Sequence, residues 1–167
     1  MLKRLFPDYY IESIFEIDTD KLKKQGIKAL IFDIDNTLVP YDVEEPTKEI
    51  IDYFEELQEK GFKICLFSNN NKERVIRFNK GLRLIAIHKA NKPLKGKFKI
   101  AMDLLGTDKS STAIVGDQIF TDVYGGNRTG ITTILVAPVS DKDEWITKIK
   151  RGLERRVINV YQRSSKD

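Results

Sequence analysis

The sequence is poor in several residue types, and each shortage excludes a class of protein. Its single cysteine, Cys65, cannot form an internal disulfide, which excludes a disulfide-stapled scaffold. No apolar run approaches the roughly 20 residues that a membrane-spanning helix needs. Charged residues interrupt the N-terminal apolar stretch and leave no secretory signal: Lys3, Arg4, Asp8 and Glu12. We therefore expect a cytoplasmic protein, with Cys65 buried in a strand.

The remaining composition is that of an ordinary globular chain. The 167 residues are 41% hydrophobic and 32% charged, which is too apolar for a disordered protein. The chain has no internal repeat, no low-complexity tract and no Gly/Ser linker. We therefore expect one domain over residues 1–167.

The charge is unevenly distributed along the chain. Residues 41–60 contain eight acids and two lysines, whereas residues 72–99 contain ten Lys or Arg and one acid. A basic segment of this kind suits an anionic partner, although a solvated surface is the simpler interpretation. An anionic membrane surface or a phosphorylated small molecule fits it, and nucleic acid is the less favoured partner.

Short apolar runs alternate with helical patterns along the chain. Five runs are predicted strands: Ala29–Phe32, Phe62–Phe67, Leu84–Ile87, Thr112–Val115 and Ile131–Val136. The helical patterns run from Pro46 to Gly61, from Asn71 to about Lys80, over Lys95–Leu105, from Gln118 to about Arg128, and over Asp141–Val157.

Strands separated by helices predict right-handed crossovers and a parallel sheet. Because the strands are apolar throughout, helices should cover both faces of the sheet. The fold class is therefore a doubly wound α/β sheet of about five strands, with its core at residues 28–137 and an outer helical extension at each end. Ligands of such sheets bind beyond the carboxyl ends of the strands.

Polar side chains follow four consecutive predicted strands at that edge. They are Asp33, Asp35 and Thr37 after the first, Ser68 after the second, Lys92 after the third, and Asp117 and Asp122 after the fourth. Converging carboxylates repel one another unless a cation lies between them, and oxygen ligands suit Mg²⁺. A carboxylate there can attack phosphorus, and a second one can serve as general acid and base. Lysine, hydroxyl and backbone N–H groups would neutralise the phosphoryl oxygens.

These residues resemble the four motifs of the haloacid dehalogenase (HAD) superfamily. The matching strings are Asp33-Ile34-Asp35-Asn36-Thr37, Ser68, Lys92-Pro93 and Gly116–Asp122. Residues 32–40 (FDIDNTLVP) with Ser68-Asn69-Asn70 are similar, more narrowly, to the YqeG-like phosphatases of HAD subclass IIIA. The resemblance implies a Rossmann-like three-layer α/β/α fold and a Mg²⁺-dependent phosphatase.

The resemblance also implies a role for each residue. Asp33 would be the nucleophile and a metal ligand, and Asp35 the general acid/base whose main-chain carbonyl binds the metal. Thr37 would steady the first motif, and it is grouped with Ser68, Asn69 and Lys92 at the substrate phosphate. Asp117 would be the third metal ligand and Asp122 would order the metal shell. Two simpler roles remain open: Ser68 as a helix cap and Asp122 as a first-turn acid.

HAD enzymes often carry an inserted cap domain, and this chain has no room for one. Only residues 38–45 separate the first motif from the next helix, and a helix and a strand occupy the interval between Ser68 and Lys92. The site should therefore be open and suited to a large or surface-held substrate. In the most similar family, the resemblance suggests the phospholipid phosphatidylglycerophosphate, hydrolysed at the membrane.

Several alternatives remain at this stage. The substrate could instead be a soluble sugar-phosphate or a nucleic-acid 3′-phosphate. A phospho-accepting signalling domain also uses strand-end acids, but it would carry its Asp after the third strand, where this chain has Ile87-His88-Lys89. A non-catalytic scaffold is disfavoured because every motif position is filled. The terminal segments either bind membrane or pack on the core.

Overall fold

The computed structural model describes residues 2–140 and 145–164, with residues 145–149 described by their backbone alone. The strands are β1 Tyr9–Ile11, β2 Ala29–Phe32, β3 Lys63–Phe67, β4 Ile85–Ile87, β5 Thr112–Gly116 and β6 Thr132–Val136. The α-helices are α1 Thr19–Lys24, α2 Lys48–Glu59, α3 Lys72–Asn79, α4 Lys95–Leu105, α5 Tyr124–Thr129 and α6 Trp145–Ser164. A π-helix, Ile119–Val123, precedes α5.

The strands form one parallel sheet in the order β1-β6-β5-β2-β3-β4. The chain proceeds from β2 to β3 and β4 on one side, then crosses back to β5 and β6 on the other. The direction of winding therefore reverses between β2 and β5, and a crevice opens at their carboxyl ends. This topology confirms the expected doubly wound α/β fold.

Alternate residues of each strand face opposite layers. Leu30 and Phe32 of β2 pack in a cluster with α2 and α3, whereas Ile31 packs on the other face with Phe98 of α4. All four residues of β2 are fully buried. Each large apolar side chain buried in this way contributes about 1.5–3 kcal/mol relative to an exposed one. The central strand β2, which ends directly before Asp33, is thus buried along its whole length.

The N-terminal extension differs from the expected outer helix. It contains a short 3-10 helix, strand β1, a second 3-10 helix and the six-residue α1, so the sheet has six strands rather than five. Asp8 anchors β1 to β6, because its carboxylate accepts hydrogen bonds from the Thr133 backbone N–H (2.8 Å) and hydroxyl (3.1 Å). A three-residue edge strand is too short for its period to be recognised in the sequence.

The C-terminal extension is helical, as expected, but it ends at Ser164 rather than near Val157. The predicted start, residues 141–144, lies outside the described residues. Val157 and Ile158 pack against Ile119, Val123 and Leu135, whereas Leu153 is 51% exposed. Helix α6 therefore docks on the core through Val157 and Ile158, and Leu153 lies off that face.

The two positions at which a cap domain could be inserted contain only short elements. Residues 38–45 form a turn and loop, and α3 and β4 occupy the interval between Ser68 and Lys92. Across residues 2–140 and 145–164, none of the helices combines the length and apolar character needed to cross a membrane.

Candidate active site

The turn after β2 presents two acids at the crevice. The Asp33 backbone N–H donates to the Val115 carbonyl (2.9 Å), which continues the β2–β5 pairing and sets Asp33 beside the end of β5. The chain then folds back on itself, with the N–H of Leu38 bonded to the Ile34 carbonyl (3.0 Å). Asn36, with a φ of 61°, supplies the left-handed residue that this tight turn requires. The turn leaves Asp33 buried and Asp35 at the edge of the crevice.

Thr37 lies beneath the acids. It is completely buried, and its hydroxyl lies 3.0 Å from Asp117 Oδ1 and 3.3 Å from Asp33 Oδ2. The hydroxyl therefore bridges the ends of β2 and β5. This placement fits the expected steadying role, and Thr37 is absent from the described residues that line the crevice.

The loop after β3 is tied to the loop after β4. Ser68 is buried, and its backbone pairs with Ile87 and Ala90. The cap of α3 is Asn71, whose side chain accepts from the Arg74 N–H (2.9 Å), so Ser68 does not cap that helix. The Ser68 hydroxyl accepts from the Asn70 N–H (3.0 Å) and lines the crevice.

Asn69 makes a contact that the sequence does not reveal. Its side-chain carbonyl accepts from the Lys92 N–H (2.8 Å), and its amide donates to the Lys92 carbonyl (3.3 Å). The Asn69 side chain therefore holds the Lys92 backbone from both sides. Lys92 is directed into the crevice as a consequence.

Lys92 joins the ends of β2 and β5 through its ammonium group. Its Nζ lies 2.6 Å from Asp33 Oδ1 and 2.7 Å from Asp122 Oδ1, and its side chain is only 3% exposed. Asp122 lies on the π-helix and also accepts from the Gln118 N–H (3.1 Å). Asp122 is thus a buried partner of Lys92, and not only an acid in the first helical turn that the helix dipole stabilises.

Asp117 is held on both sides. Thr37 approaches Oδ1, and the Arg151 guanidinium of α6 pairs with Oδ2. Arg151 Nη1 also donates to the Asp117 main-chain carbonyl (2.7 Å). This arginine comes from the C-terminal helix, for which the sequence predicted no site residue.

Burial dominates the electrostatics of the crevice. Burial raises the pKa of Asp33, although the Lys92 charge opposes the rise. Burial, with the neighbouring Asp33 charge adding to it, raises the pKa of Asp117 to about 8, and Arg151 opposes the rise. Burial alone would lower the pKa of Lys92, but Asp122 and Asp33 together outweigh it and raise that pKa. Lys92 therefore remains a cation, whereas Lys92 and Arg151 do not fully offset the effect of burial on the pKa of Asp33 and Asp117.

The donor set suits Mg²⁺. Carboxylate oxygens of Asp33, Asp117 and Asp122 lie within 4.8 Å of one another, and all three residues are buried. Oxygens on opposite sides of a Mg²⁺ ion lie about 4 Å apart. A cation among these carboxylates would lower the pKa of each and offset the cost of burying them together.

The crevice itself has a volume of about 310 Å³. Its lining is polar and includes five of the predicted site residues, Asp33, Asp35, Ser68, Asn69 and Lys92. The other residues that line it are Asn36, Tyr41, Asn70, Gln118 and Thr121. Three neighbouring strand ends, those of β2, β3 and β4, thus deliver an acid pair, a hydroxyl and a lysine to one cavity that can accept a phosphate group.

Two arginines near the crevice were missed by sequence reasoning. Arg74 pairs with Asp35, and Arg151 pairs with Asp117. Arg74 belongs to the basic segment, and Arg151 lies among other arginines and lysines of α6. The sequence does not distinguish an arginine of the site from an exposed one, because each of these arginines pairs with an acid more than 30 residues away.

The fold and the crevice define a phosphatase of the HAD-like hydrolases, and the chain belongs to that family. Two family models match it: haloacid dehalogenase-like hydrolase over residues 30–91, and a HAD-hydrolase-like model over residues 89–159. Over 164 residues the chain is 43% identical to a probable phosphatase, YqeG, of Bacillus subtilis, covering 98% of this chain and 95% of that protein.

A second relative agrees with this assignment, and solved structures share the fold. The chain is 30% identical over 173 residues to phosphatidylglycerophosphate phosphatase 1 of Arabidopsis thaliana, covering 95% of this chain but only 49% of that protein. A cobalt-bound deoxy-D-mannose-octulosonate 8-phosphate phosphatase of Haemophilus influenzae has the same fold (TM-score 0.57, 14% identity, 86% of this chain and 94% of that one). A HAD phosphatase of Thermococcus onnurineus matches similarly (TM-score 0.57, 17% identity, 71% and 90%).

Proposed function

We propose that this phosphatase hydrolyses phosphomonoesters through an aspartyl-phosphate on Asp33. The observation that carries the proposal is the position of Asp33, which lies in the crevice with Lys92 Nζ 2.6 Å from its Oδ1. A lysine at that distance favours the ionised carboxylate and remains available to a phosphoryl oxygen. Ser68 lines the same cavity and can donate its hydroxyl to a second oxygen.

The reaction has two steps. In the first, an Asp33 oxygen forms a bond to phosphorus, the bond from phosphorus to the ester oxygen breaks, and Asp35 gives its proton to the departing alcohol. In the second, water attacks the phosphoryl group, Asp35 takes the water proton, and inorganic phosphate leaves Asp33 free. Lys92 and Ser68 bind the phosphoryl oxygens in both steps.

Asp33, Asp117 and the Asp35 main-chain carbonyl would hold Mg²⁺, with Asp122 beside them. When bound, Mg²⁺ would neutralise phosphoryl charge and orient the ester for attack. The cation would also offset the mutual repulsion of the Asp33, Asp117 and Asp122 carboxylates.

The reaction is tested by phosphate release from an aryl phosphate with and without Mg²⁺, comparing the wild type with Asp33→Asn. We expect Mg²⁺-dependent turnover in the wild type and a loss on the order of 10³-fold or more in the variant. Equal rates in the two proteins would refute Asp33 as the nucleophile. Asp117→Asn should lose activity and Mg²⁺ binding together.

The substrate is proposed to be a surface-held lipid phosphate such as phosphatidylglycerophosphate. The open crevice admits a phosphate presented from outside, and three exposed apolar residues lie around its edge. These residues, here the apolar rim, are Tyr41 (40% exposed), Leu94 (58%) and Val139 (49%). Tyr41 lines the crevice, and the Val139 N–H bonds to the Asn36 carbonyl (2.9 Å).

The charge around the apolar rim favours the same substrate. Lys72, Lys89 and Lys95 are exposed on the loops and helix starts at this edge of the sheet. Apolar side chains beside lysines suit an anionic lipid surface, where each basic residue adds about 1 kcal/mol. The Arabidopsis relative carries the name of a phosphatase for such a lipid.

A matched pair of leucines at the two ends of α4 tests the lipid substrate. Leu94 lies at the rim, whereas Leu104 is equally exposed (56%) at the other end of the helix, near Lys63 at the start of β3. Leu94→Glu should slow hydrolysis of phosphatidylglycerophosphate in vesicles while leaving hydrolysis of glycerol phosphate unchanged, and Leu104→Glu should change neither. A wild type that shows no preference for the vesicle substrate over the soluble ester would contradict the lipid proposal.

A further inference from the structure

Helix α6 reaches back to the crevice through one charged side chain. Arg151 is 12% exposed and lies 34 positions after Asp117 in the chain. Its two terminal nitrogens are divided between atoms of the same residue, with Nη2 at the Asp117 Oδ2 atom and Nη1 at the Asp117 carbonyl (2.7 Å). A guanidinium that binds a side chain and its own backbone carbonyl restricts the rotation of that side chain.

The arginine is itself held in place. Arg151 Nη1 lies 3.3 Å from Glu154 Oε2, and Glu154 is only 3% exposed. The other Glu154 oxygen accepts from the Phe120 N–H (3.2 Å) in the π-helix that carries Asp122. Arg151 and Glu154 together therefore join α6 to the loop that presents two of the three acids.

The contact leaves one face of Asp117 toward the cation site. Oδ2 is paired with Arg151, whereas Oδ1 lies on the side of Thr37 and Asp33. A ligating carboxylate whose outer oxygen is held by a donor keeps its inner oxygen in a fixed direction, and loss of such a donor typically costs 10–100-fold in metal affinity. Arg151 also adds a positive charge next to three buried acids.

We propose that Arg151 is a positioning residue for Mg²⁺, supplied by the C-terminal helix, which orients Asp117 through its outer oxygen and carbonyl. The inference rests on the proposed metal site. It gives α6 a function beyond packing, because the helix completes the crevice from outside the motif-bearing residues. Arg151 is absent from the described residues that line the crevice, so its proposed role is one of positioning and not of catalysis.

The test measures Mg²⁺ binding directly, by isothermal titration calorimetry on the full chain without substrate. The variants are Arg151→Ala, Arg151→Lys and the control Arg155→Ala, which removes an exposed arginine from the same helix. We expect Arg151→Ala to raise the Mg²⁺ dissociation constant 10–100-fold, and Arg155→Ala to leave it within twofold. Arg151→Lys should fall between them, because an ammonium cannot serve both Asp117 atoms in the same planar geometry.

A kinetic measurement separates positioning from general damage to the fold. With an aryl phosphate, Arg151→Ala should raise the Mg²⁺ concentration for half-maximal rate while kcat at saturating Mg²⁺ stays within about threefold of wild type. A fall in kcat without a change in Mg²⁺ dependence would indicate structural damage alone and overturn the inference. If Arg151→Ala does not fold, the test rests on Arg151→Lys. A Mg²⁺ dissociation constant of Arg151→Lys within twofold of the wild-type value would then overturn the inference.

Two further outcomes keep this inference distinct from the proposed function. Tighter Mg²⁺ binding in Arg151→Ala would make Arg151 a competitor of the cation, which overturns the inference. If Arg151→Ala binds as the wild type does while Asp117→Asn loses Mg²⁺, the inference fails and the metal site stands. If Asp117→Asn also binds Mg²⁺ as the wild type does, the metal site itself fails.

Discussion

Arg74 and Asp35 form an ion pair at the edge of the crevice. Arg74 Nη2 and Nε lie 3.0 Å and 3.2 Å from Asp35 Oδ1, and the Asn70 amide donates to Oδ2 (3.2 Å). Arg74 Nη1 donates to the Glu44 carbonyl (3.0 Å), which fixes the guanidinium between two loops. Both oxygens of the proposed general acid therefore have fixed partners before a substrate arrives.

Removing Arg74 should impair protonation of the leaving group, because the Asp35 carboxyl would lose the guanidinium that fixes its direction. A general acid contributes about 10²–10⁴-fold, and this help matters most for an alcohol that leaves poorly as an anion. Arg74→Ala should therefore slow hydrolysis of an alkyl phosphate by about 10–100-fold and that of dinitrophenyl phosphate by much less. The measurement is kcat/KM for both esters, with Asp35→Asn as the reference.

Arg77→Ala is the matched control for this prediction. Arg77 lies one turn further along α3, is 55% exposed and pairs with the Glu44 side chain. It should leave both rates unchanged. An equal loss on both esters in Arg74→Ala would mean that Arg74 supports the loops without orienting Asp35.

Gly116 is required because Asp122 lies directly over it. A Cβ at this position would be 2.2 Å from Asp122 Cγ and 2.3 Å from Oδ2. Gly116→Ala should push the carboxylate away from Lys92, abolish most activity and lower the free energy of unfolding by about 1–3 kcal/mol. Activity assays and urea unfolding would measure the two effects.

Gly96 offers the contrasting substitution. It lies in α4 with nothing within 4 Å of its added Cβ, so Gly96→Ala should retain activity and add roughly 0.5–1 kcal/mol of stability. Full activity in Gly116→Ala would show that catalysis does not require the Asp122 carboxylate in its position beside Lys92.

Magnesium should stabilise the protein more at high pH than at low pH. The pKa of Asp117 is raised to about 8 in the metal-free fold, so the folded state keeps a proton that the unfolded state releases near pH 4. The bound proton stabilises the folded state, so the metal-free protein loses stability progressively between about pH 4 and pH 8. Since Mg²⁺ must displace the proton, the Mg²⁺-induced rise in Tm should be larger at pH 8.5 than at pH 6.

Thermal unfolding with and without Mg²⁺ at the two pH values measures this difference. Asp117→Asn removes the titrating group and should show little Mg²⁺ effect at either pH. A Mg²⁺ effect in the wild type that is equal at pH 6 and pH 8.5 would contradict a protonated Asp117.

The Cys65 thiol should be inert in the folded protein. It is completely buried in β3, and burial raises its pKa to about 12. At pH 8 almost no thiolate is present, and a thiol reagent cannot reach the sulfur. Native protein should react with a chromogenic disulfide reagent far more slowly than protein in guanidinium chloride. Rapid labelling of the native state at one thiol per chain would contradict this.

Much of the fold follows from local patterns in the sequence. β2 and α4 have the predicted bounds, Ala29–Phe32 and Lys95–Leu105, because a short apolar run and a terminal glycine with a left-handed backbone at Gly106 mark them. β1 was missed, because only pairing with β6, more than 100 residues away, makes three residues a strand. The helix after Asp117 begins as a π-helix, which no helical period announces.

For the candidate site, the sequence by itself determined which polar residues follow the strand ends and so gather at one edge of the sheet. Asp33, Ser68, Lys92 and Asp117 follow four strands of a parallel sheet, and the parallel arrangement obliges their carboxyl ends to meet at one edge. Only the tertiary structure decided that Arg74 holds Asp35 and that Arg151 holds Asp117. An arginine is long and flexible, so its partner depends on how helices dock across the sheet, and nothing local in the sequence specifies that contact.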